Sequence, residues 1–218
     1  MSKRNYIAEI EAKRVRHGSR SPRFAQFERR SDSMIDVAEF LRKKTSKNVP
    51  SKHELVKYLP IGWVACVEGY FRLVYRDLID HGAPYRDNAA QLKDIRIGID
   101  HVVAIHSGKL TFGEFIAHLL PIKSLDDVNQ SMSTLLGVDY FDAVRNVKSD
   151  DFEKGKSLEE LELFGPVLES LEFLFGQRHV FAHELAPRVR VSHRAIFHHS
   201  RAALILVSHT EKLLEQYI

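Results

Sequence analysis

The stretch SLEELELFGPVLESLEFLFGQRHVFA, Ser157–Ala182, places Leu161, Phe164, Leu168, Leu171, Phe175 and Ala182 at intervals of three, four or seven residues. That spacing lays one apolar stripe along an α-helix. Ser157-x-x-Glu160, ahead of the stripe, has the form of a capping box, in which each side chain accepts from the other residue's free backbone N–H. Pro187 ends the segment. Strands would need alternation at period two, and such patterns are nearly absent along the chain.

Working outward, the same period recurs on both sides. A last helix is expected over about His193–Tyr217, with Ile196, Ala203, Leu206, Val207, Leu213 and Leu214 inward. It would form an antiparallel hairpin with its predecessor across a turn at Arg188–Ser192. Toward the N-terminus, Leu55–Ile79 carries Leu55, Leu59, Val64, Val67, Tyr70, Phe71, Val74, Tyr75 and Leu78 near helical period. Ser51-x-x-Glu54 is its capping-box candidate, and Pro60 with Gly62 is expected to kink it or to end a short preceding turn. Shorter helices are expected at Asn88–Ile105, Thr111–Leu120, Leu125–Leu136 and Tyr140–Val147, and near the start at Tyr6–Val15 and after Asp32 or Ser33. The expected fold is an all-α helical bundle with a late antiparallel hairpin and extra short helices.

At 218 residues, with 44% hydrophobic and 28% charged residues, the chain fits one globular domain with trimmings. A single cysteine, Cys66, excludes an intrachain disulfide framework and any Cys-rich zinc module. It sits in Trp63-Val-Ala-Cys-Val67, a setting for a small packing residue rather than a nucleophile. The longest uninterrupted apolar run, Ala202–Val207, falls far short of the roughly 18 residues of a membrane-spanning helix. The start, Met1–Tyr6, is charged with no apolar core behind it, so no secretory signal is read there. A cytoplasmic setting without membrane contact is expected.

The net charge of +3 is unevenly spread. Residues 1–30 hold nine Lys/Arg against Glu9, Glu11 and Glu28, a local +6, which leaves −3 for residues 31–218. The chain is therefore divided into a basic N-terminal arm, 1–30, and an all-α domain, 31–218. Arg14, Arg16, Arg20 and Arg23 in the arm are candidates for holding a polyanion; a solvated tail without a ligand is the alternative.

No Gly-rich phosphate loop and no Gly-x-Ser-x-Gly elbow is present, so nucleotide cofactors and that class of nucleophile have no support. The unusual segment is Gln177-Arg-His-Val-Phe-Ala-His-Glu184, which sets Arg178, His179, His183 and Glu184 at the end of a packing helix. Arg and His suit phosphodiester cleavage without a metal. A guanidinium holds phosphate and developing charge, and an imidazole moves protons near neutral pH. RNA brings its own nucleophile, the 2′-hydroxyl. On an ideal helix Arg178 and His183 stand about 140° apart and about 7.5 Å along the axis. A single copy therefore makes a splayed site, and two copies facing across a dimer axis would supply both groups twice. Glu68, in an apolar helix, would be costly to bury alone; Arg178 or Arg72 could pair with it, or it could face solvent, and with Glu184 it is a candidate for contacting substrate.

Arg178-x4-His183, on the penultimate long helix of an all-α chain, resembles the Arg-x(4–6)-His motif of the HEPN superfamily, in which the residue after the Arg is often Asn, Asp or His. Here it is His179. The helix Gly62–Asp80, with Glu68, Tyr70, Phe71 and Arg72, looks like the long helix that packs against the motif helix. The likeness in architecture spans roughly residues 33–218. It implies a metal-independent endoribonuclease with no cofactor, active as a homodimer on RNA. His183 would transfer protons, Arg178 would hold phosphate, and His179 would assist. Many such proteins are toxins or antiviral effectors, some with an antitoxin. The Tyr that certain toxins carry two residues after the His is Leu185 here, so regulation by its modification is not implied.

Other readings stand beside this one. His179 and His183 have the i, i+4 spacing of two metal ligands, with Glu184, His193, His198, His199 or His209 as further donors, but no third ligand stands at a fixed spacing. The late histidines read as a His-rich helix face. The cluster could also be a structural helix end within a noncatalytic dimerisation or regulatory module of the same superfamily.

Overall fold

The computed structural model describes residues 5–14, 23–43, 50–92, 95–149, 155–183 and 191–218, the side chains at 11–14, 50–52 and 183 excepted. Its helices are α1 (Tyr6–Arg14), α2 (Arg23–Lys43), α3 (Pro50–His81), α4 (Tyr85–Asn88), α5 (Ile99–His106), α6 (Phe112–Leu119), α7 (Leu125–Leu136), α8 (Tyr140–Asn146), α9 (Phe164–His183) and α10 (His193–Leu214). A single 3-10 turn, Ala89–Gln91, follows α4. Among the described residues there is no strand, only an isolated bridge between Ser149 and Lys156. The chain is an all-α bundle, as its periodicity predicts. None of the described helices is long and apolar enough to cross a membrane.

Helix α3 is the post around which the bundle is built. Its 32 residues span about 48 Å, and Trp63, Val67, Phe71, Tyr75 and Leu78 are buried along it. No separate turn ends at Pro60, for α3 runs uninterrupted from Pro50. Val56, Leu59 and Trp63 on either side of Pro60 are all buried, and their packing holds the helix through the missing N–H. Gly62 has a different task. A Cβ there would come within 2.4 Å of the terminal methyl of Met34, so the Met34 side chain of α2 lies directly on this glycine. Pro50 opens α3, where a missing N–H costs little, and Ser51 therefore lies inside the helix rather than capping it. Leu55, expected inward, is exposed.

Several charged residues of α3 reach partners on neighbouring helices. Arg72 Nη1 donates to the carbonyls of Ala117 and His118, at 2.7 and 3.1 Å, at the end of α6. Two turns on, Asp80 accepts from Gly113 N at 2.8 Å and from the Thr111 hydroxyl, at the start of α6. A cation thus meets the carbonyl end of α6 and a carboxylate its amide end, which is the favourable sense of the helix dipole. Asp77 and Glu211 share the Arg23 guanidinium, at 3.2 and 2.8 Å, tying α2, α3 and α10 together.

Three expected elements differ in detail. The expected boundary at residue 30 falls inside α2, where Phe27 and Ser31 are both buried. The helix expected over Asn88–Ile105 is interrupted, because Ile95–Gly98 is not helical; β-branched residues ending in glycine disfavour a helix. The Ser157–Glu160 box does form, with Ser157 N donating to Glu160 at 2.8 Å and Glu160 N to Ser157 Oγ at 3.2 Å. It closes a single turn that stops at Glu162, whose φ is 54°, and α9 starts only at Phe164. In α9 the buried positions are Val167, Leu171, Leu174 and Phe175, while Leu161 lies in the turn and Ala182 is exposed.

Helix α9 starts against α8, where the Phe164 and Phe141 rings meet, and runs back to the middle of α3. Helix α10 runs the other way and ends beside α4, where Tyr85 donates to the Tyr217 carbonyl. The two form the expected hairpin, with His199 of α10 against Ser170 and Phe173 of α9. Of the expected turn between them, residues 188–190 lie outside the described residues; Ser192 caps α10 by accepting from Arg194 N.

Two glycines test this packing in opposite directions. A Cβ on Gly113 would sit 2.5 Å from the Arg76 carbonyl oxygen, whereas one on Gly69 meets nothing within 4 Å. Urea unfolding should show Gly113→Ala destabilised by about 1–3 kcal/mol and Gly69→Ala stabilised by about 0.5–1 kcal/mol. Equal effects at the two sites would refute the close approach of α6 to α3.

Candidate functional site

Arg178 lies on the face of α9 that meets α3, one turn beyond Leu174 in the buried stripe. Its Nη2 donates to Glu68 Oε1 of α3 at 2.7 Å. The two side chains retain 25% and 21% of their exposure, so the pair sits at the rim of the α3–α9 contact, within reach of solvent. Glu68 belongs to the post and Arg178 to the helix packed on it, and rigid elements therefore fix both positions. Of the alternatives open for Glu68 (Arg178, Arg72 or solvent), the structure shows the pairing with Arg178.

Burial pushes the Glu68 carboxyl above the ordinary glutamate value, against the opposing pull of Arg178 and then of Arg72. Arg72 stands one turn along α3 with its guanidinium on the α6 carbonyls. A rim carboxylate between two guanidinium groups makes a locally cationic site, in which Arg178 is held through one nitrogen, Nη2, by one carboxylate oxygen. A guanidinium carries five N–H donors, so others are left for an incoming anion.

The other predicted site residues are differently placed. His179 is exposed on the outer side of α9. His183 is the last residue of that helix, and its side chain is outside the described set, as are Glu184, Arg16 and Arg20. Arg14 ends α1, its side chain likewise undescribed. Arg23 is committed to Asp77 and Glu211 inside the bundle, so it is not available to a ligand as expected. Helix α1 of the arm is not free of the body either. Ile10 is buried, Tyr6 packs on His101 and His118 with ring centroids 6.0 and 5.8 Å away, and Glu9 lies 3.0 Å from His118 Nε2. That docking was invisible in the charge count.

The late histidines do not share one face. His209 is buried with Nδ1 3.0 Å from the Ile205 carbonyl. His199 stacks on Phe173 at 4.2 Å, and burial, followed by the neighbouring His198, lowers its pKa. His198 is exposed. Among the described residues no group of three or more His, Cys, Asp and Glu is placed to hold a metal ion. An apolar groove of about 350 Å³ between α2 and α3, lined by Met34, Val37, Phe40, Leu55 and Tyr58 among others, holds none of the predicted site residues. Cys66 is buried, and burial raises its thiol pKa, in keeping with a packing role.

Glu68 yields a stability test. A carboxyl whose folded-state pKa is raised contributes stability that is complete below its unfolded value and is lost as pH rises through the folded value. Glu68→Gln removes that titration. Its stability relative to the unsubstituted chain should therefore rise in urea melts as pH is raised above the ordinary glutamate value of about 4.3; a difference that stays flat there would refute the assigned burial.

Comparison of the chain with family models, curated proteins and solved structures finds no match in any of the three.

Proposed function

We propose that this protein is a metal-independent endoribonuclease of the HEPN type, cleaving RNA at a composite Arg/His site formed between two copies of the chain. The observation that supports it most is the Arg178–Glu68 pair, which fixes a guanidinium at a solvent-reachable rim five residues before the terminal His183 of the same helix. Arg178 holds the scissile phosphate and the charge that builds on it. One neutral His183 imidazole takes the proton of the RNA 2′-hydroxyl, whose oxygen bonds to phosphorus. The 5′-oxygen leaves with a proton from a second His183, as the imidazolium. Two imidazoles in opposite protonation states are needed, and a homodimer supplies them. His179 and Glu184 flank this pair as auxiliary polar groups. A toxin or antiviral role in the cytoplasm, restrained by an antitoxin or other regulatory protein, belongs to the same proposal.

A noncatalytic dimerisation module is the second reading, and one observation favours it: the Arg178 guanidinium already serves Glu68, a structural duty in its own right. The two readings separate on one protein preparation. With chelator present, the first predicts RNA cleavage that falls by about 10²–10⁴-fold in His183→Ala with dimer mass unchanged. Cleavage unaltered in that variant sinks it. The second predicts no cleavage of any RNA by the unsubstituted chain. It also predicts that Arg178→Ala is destabilised by about 1–3 kcal/mol, the cost of leaving a half-buried carboxylate unpaired.

A further inference from the structure

Residues 185–210 contain no Asp or Glu, the longest acid-free run in a chain with 29 acidic residues, and they include Arg188, Arg190, Arg194 and Arg201. The structure shows where the helical part of that run points. Helix α10 turns Ile196, Ser200, Ala203 and Val207 into the core. It leaves Arg194, Phe197, His198 and Arg201 exposed, at i, i+3, i+4 and i+7, the spacing of one outer stripe. Arg23, Arg145 and Arg178 are each tied to a carboxylate. Arg194 and Arg201, by contrast, form no ion pair among the described residues. Phe197 keeps 42% of its surface exposed between these two arginines, whose backbone positions lie about 10.5 Å apart along the axis.

We infer that the outer stripe of α10 is a docking track for single-stranded RNA, with Arg194 and Arg201 on backbone phosphates and the Phe197 ring beneath a base. Guanidinium groups with no ion pair among the described residues, and an aromatic face between them, match the two needs of single-strand binding, charge along the backbone and a surface for stacking. A lone ring among cations is too small an apolar surface for a protein interface core, which is depleted of charge. The antiparallel hairpin brings the start of α10 beside the end of α9, so the track leads toward Arg178 and His183. The choice of RNA over other polyanions rests on the ribonuclease reading.

The test uses the full chain carrying His183→Ala, with a labelled single-stranded oligoribonucleotide titrated by fluorescence anisotropy at several salt concentrations. Arg194→Ala/Arg201→Ala should weaken binding by at least about tenfold and reduce the log–log salt slope by about 1.4, since each lost single-strand phosphate contact removes about 0.7. Phe197→Ala should weaken binding by roughly tenfold with the slope unchanged, as loss of stacking requires. Arg42→Ala, an exposed arginine on α2, should change neither. Because all three α10 positions face solvent, thermal melts of these variants should match the parent. Unchanged affinity and slope in the double variant overturn the track, as does no RNA binding by the parent, or tighter binding of an acidic peptide than of RNA. RNA binding that follows these expectations, with no cleavage by the unsubstituted chain, overturns the ribonuclease reading and leaves the track standing.

Discussion

Burial of α3 on nearly every side is the constraint from which the rest of the bundle follows. A helix so enclosed must be apolar around most of its circumference, and a charged residue at a covered position is costly unless a neighbouring helix supplies its partner. The partners are specific. Glu68 faces Arg178 of α9, Arg72 the carbonyl end of α6, Asp77 the Arg23 of α2, and Asp80 the amide end of α6. Hydrophobic burial supplies the drive for packing, about 25 cal/mol per Å² of apolar surface, but it is indifferent to which neighbour lies where. Partner-specific polar contacts are not. Arg72 and Asp80 lie eight residues apart and grip the two ends of an eight-residue helix, so α6 has one register and one direction along α3.

The same logic accounts for what sequence alone could and could not deliver. Helix α7 matches its expected limits, Leu125–Leu136, because local chemistry marks both ends: Ser124 and Asp127 form a reciprocal cap, and Gly137 takes φ 74°. The continuity of α3 through Pro60 is a tertiary effect, since Trp63 and its buried neighbours outweigh a local breaker. The Ser157–Glu160 box was legible as a hydrogen-bonding unit, but whether a helix continues from it depends on the left-handed Glu162. In the site, Glu68 announces that it needs a partner simply by being an acid in an apolar helix. Which cation answers, 110 residues away, is set by the packing of α9 on α3 and by nothing in the spacing of the sequence.

Formal charge and available charge also part company here. The count assigns the positive character to residues 1–30, yet Arg23 is shared between Asp77 and Glu211, and α1 is laid on the body through Ile10 and Tyr6. A guanidinium between two carboxylates attracts an incoming phosphate weakly, because the carboxylates cancel its field and would repel the phosphate. The acid-free stripe of α10 has a smaller nominal charge but no such cancellation among the described residues. An electrostatic footprint therefore depends on which cations remain uncompensated after the fold has used its share. That ordering sets a second candidate for polyanion contact beside the arm, whose Arg14, Arg16 and Arg20 side chains lie outside the described residues: the helix that closes the hairpin, next to the end of α9 that carries Arg178 and His183.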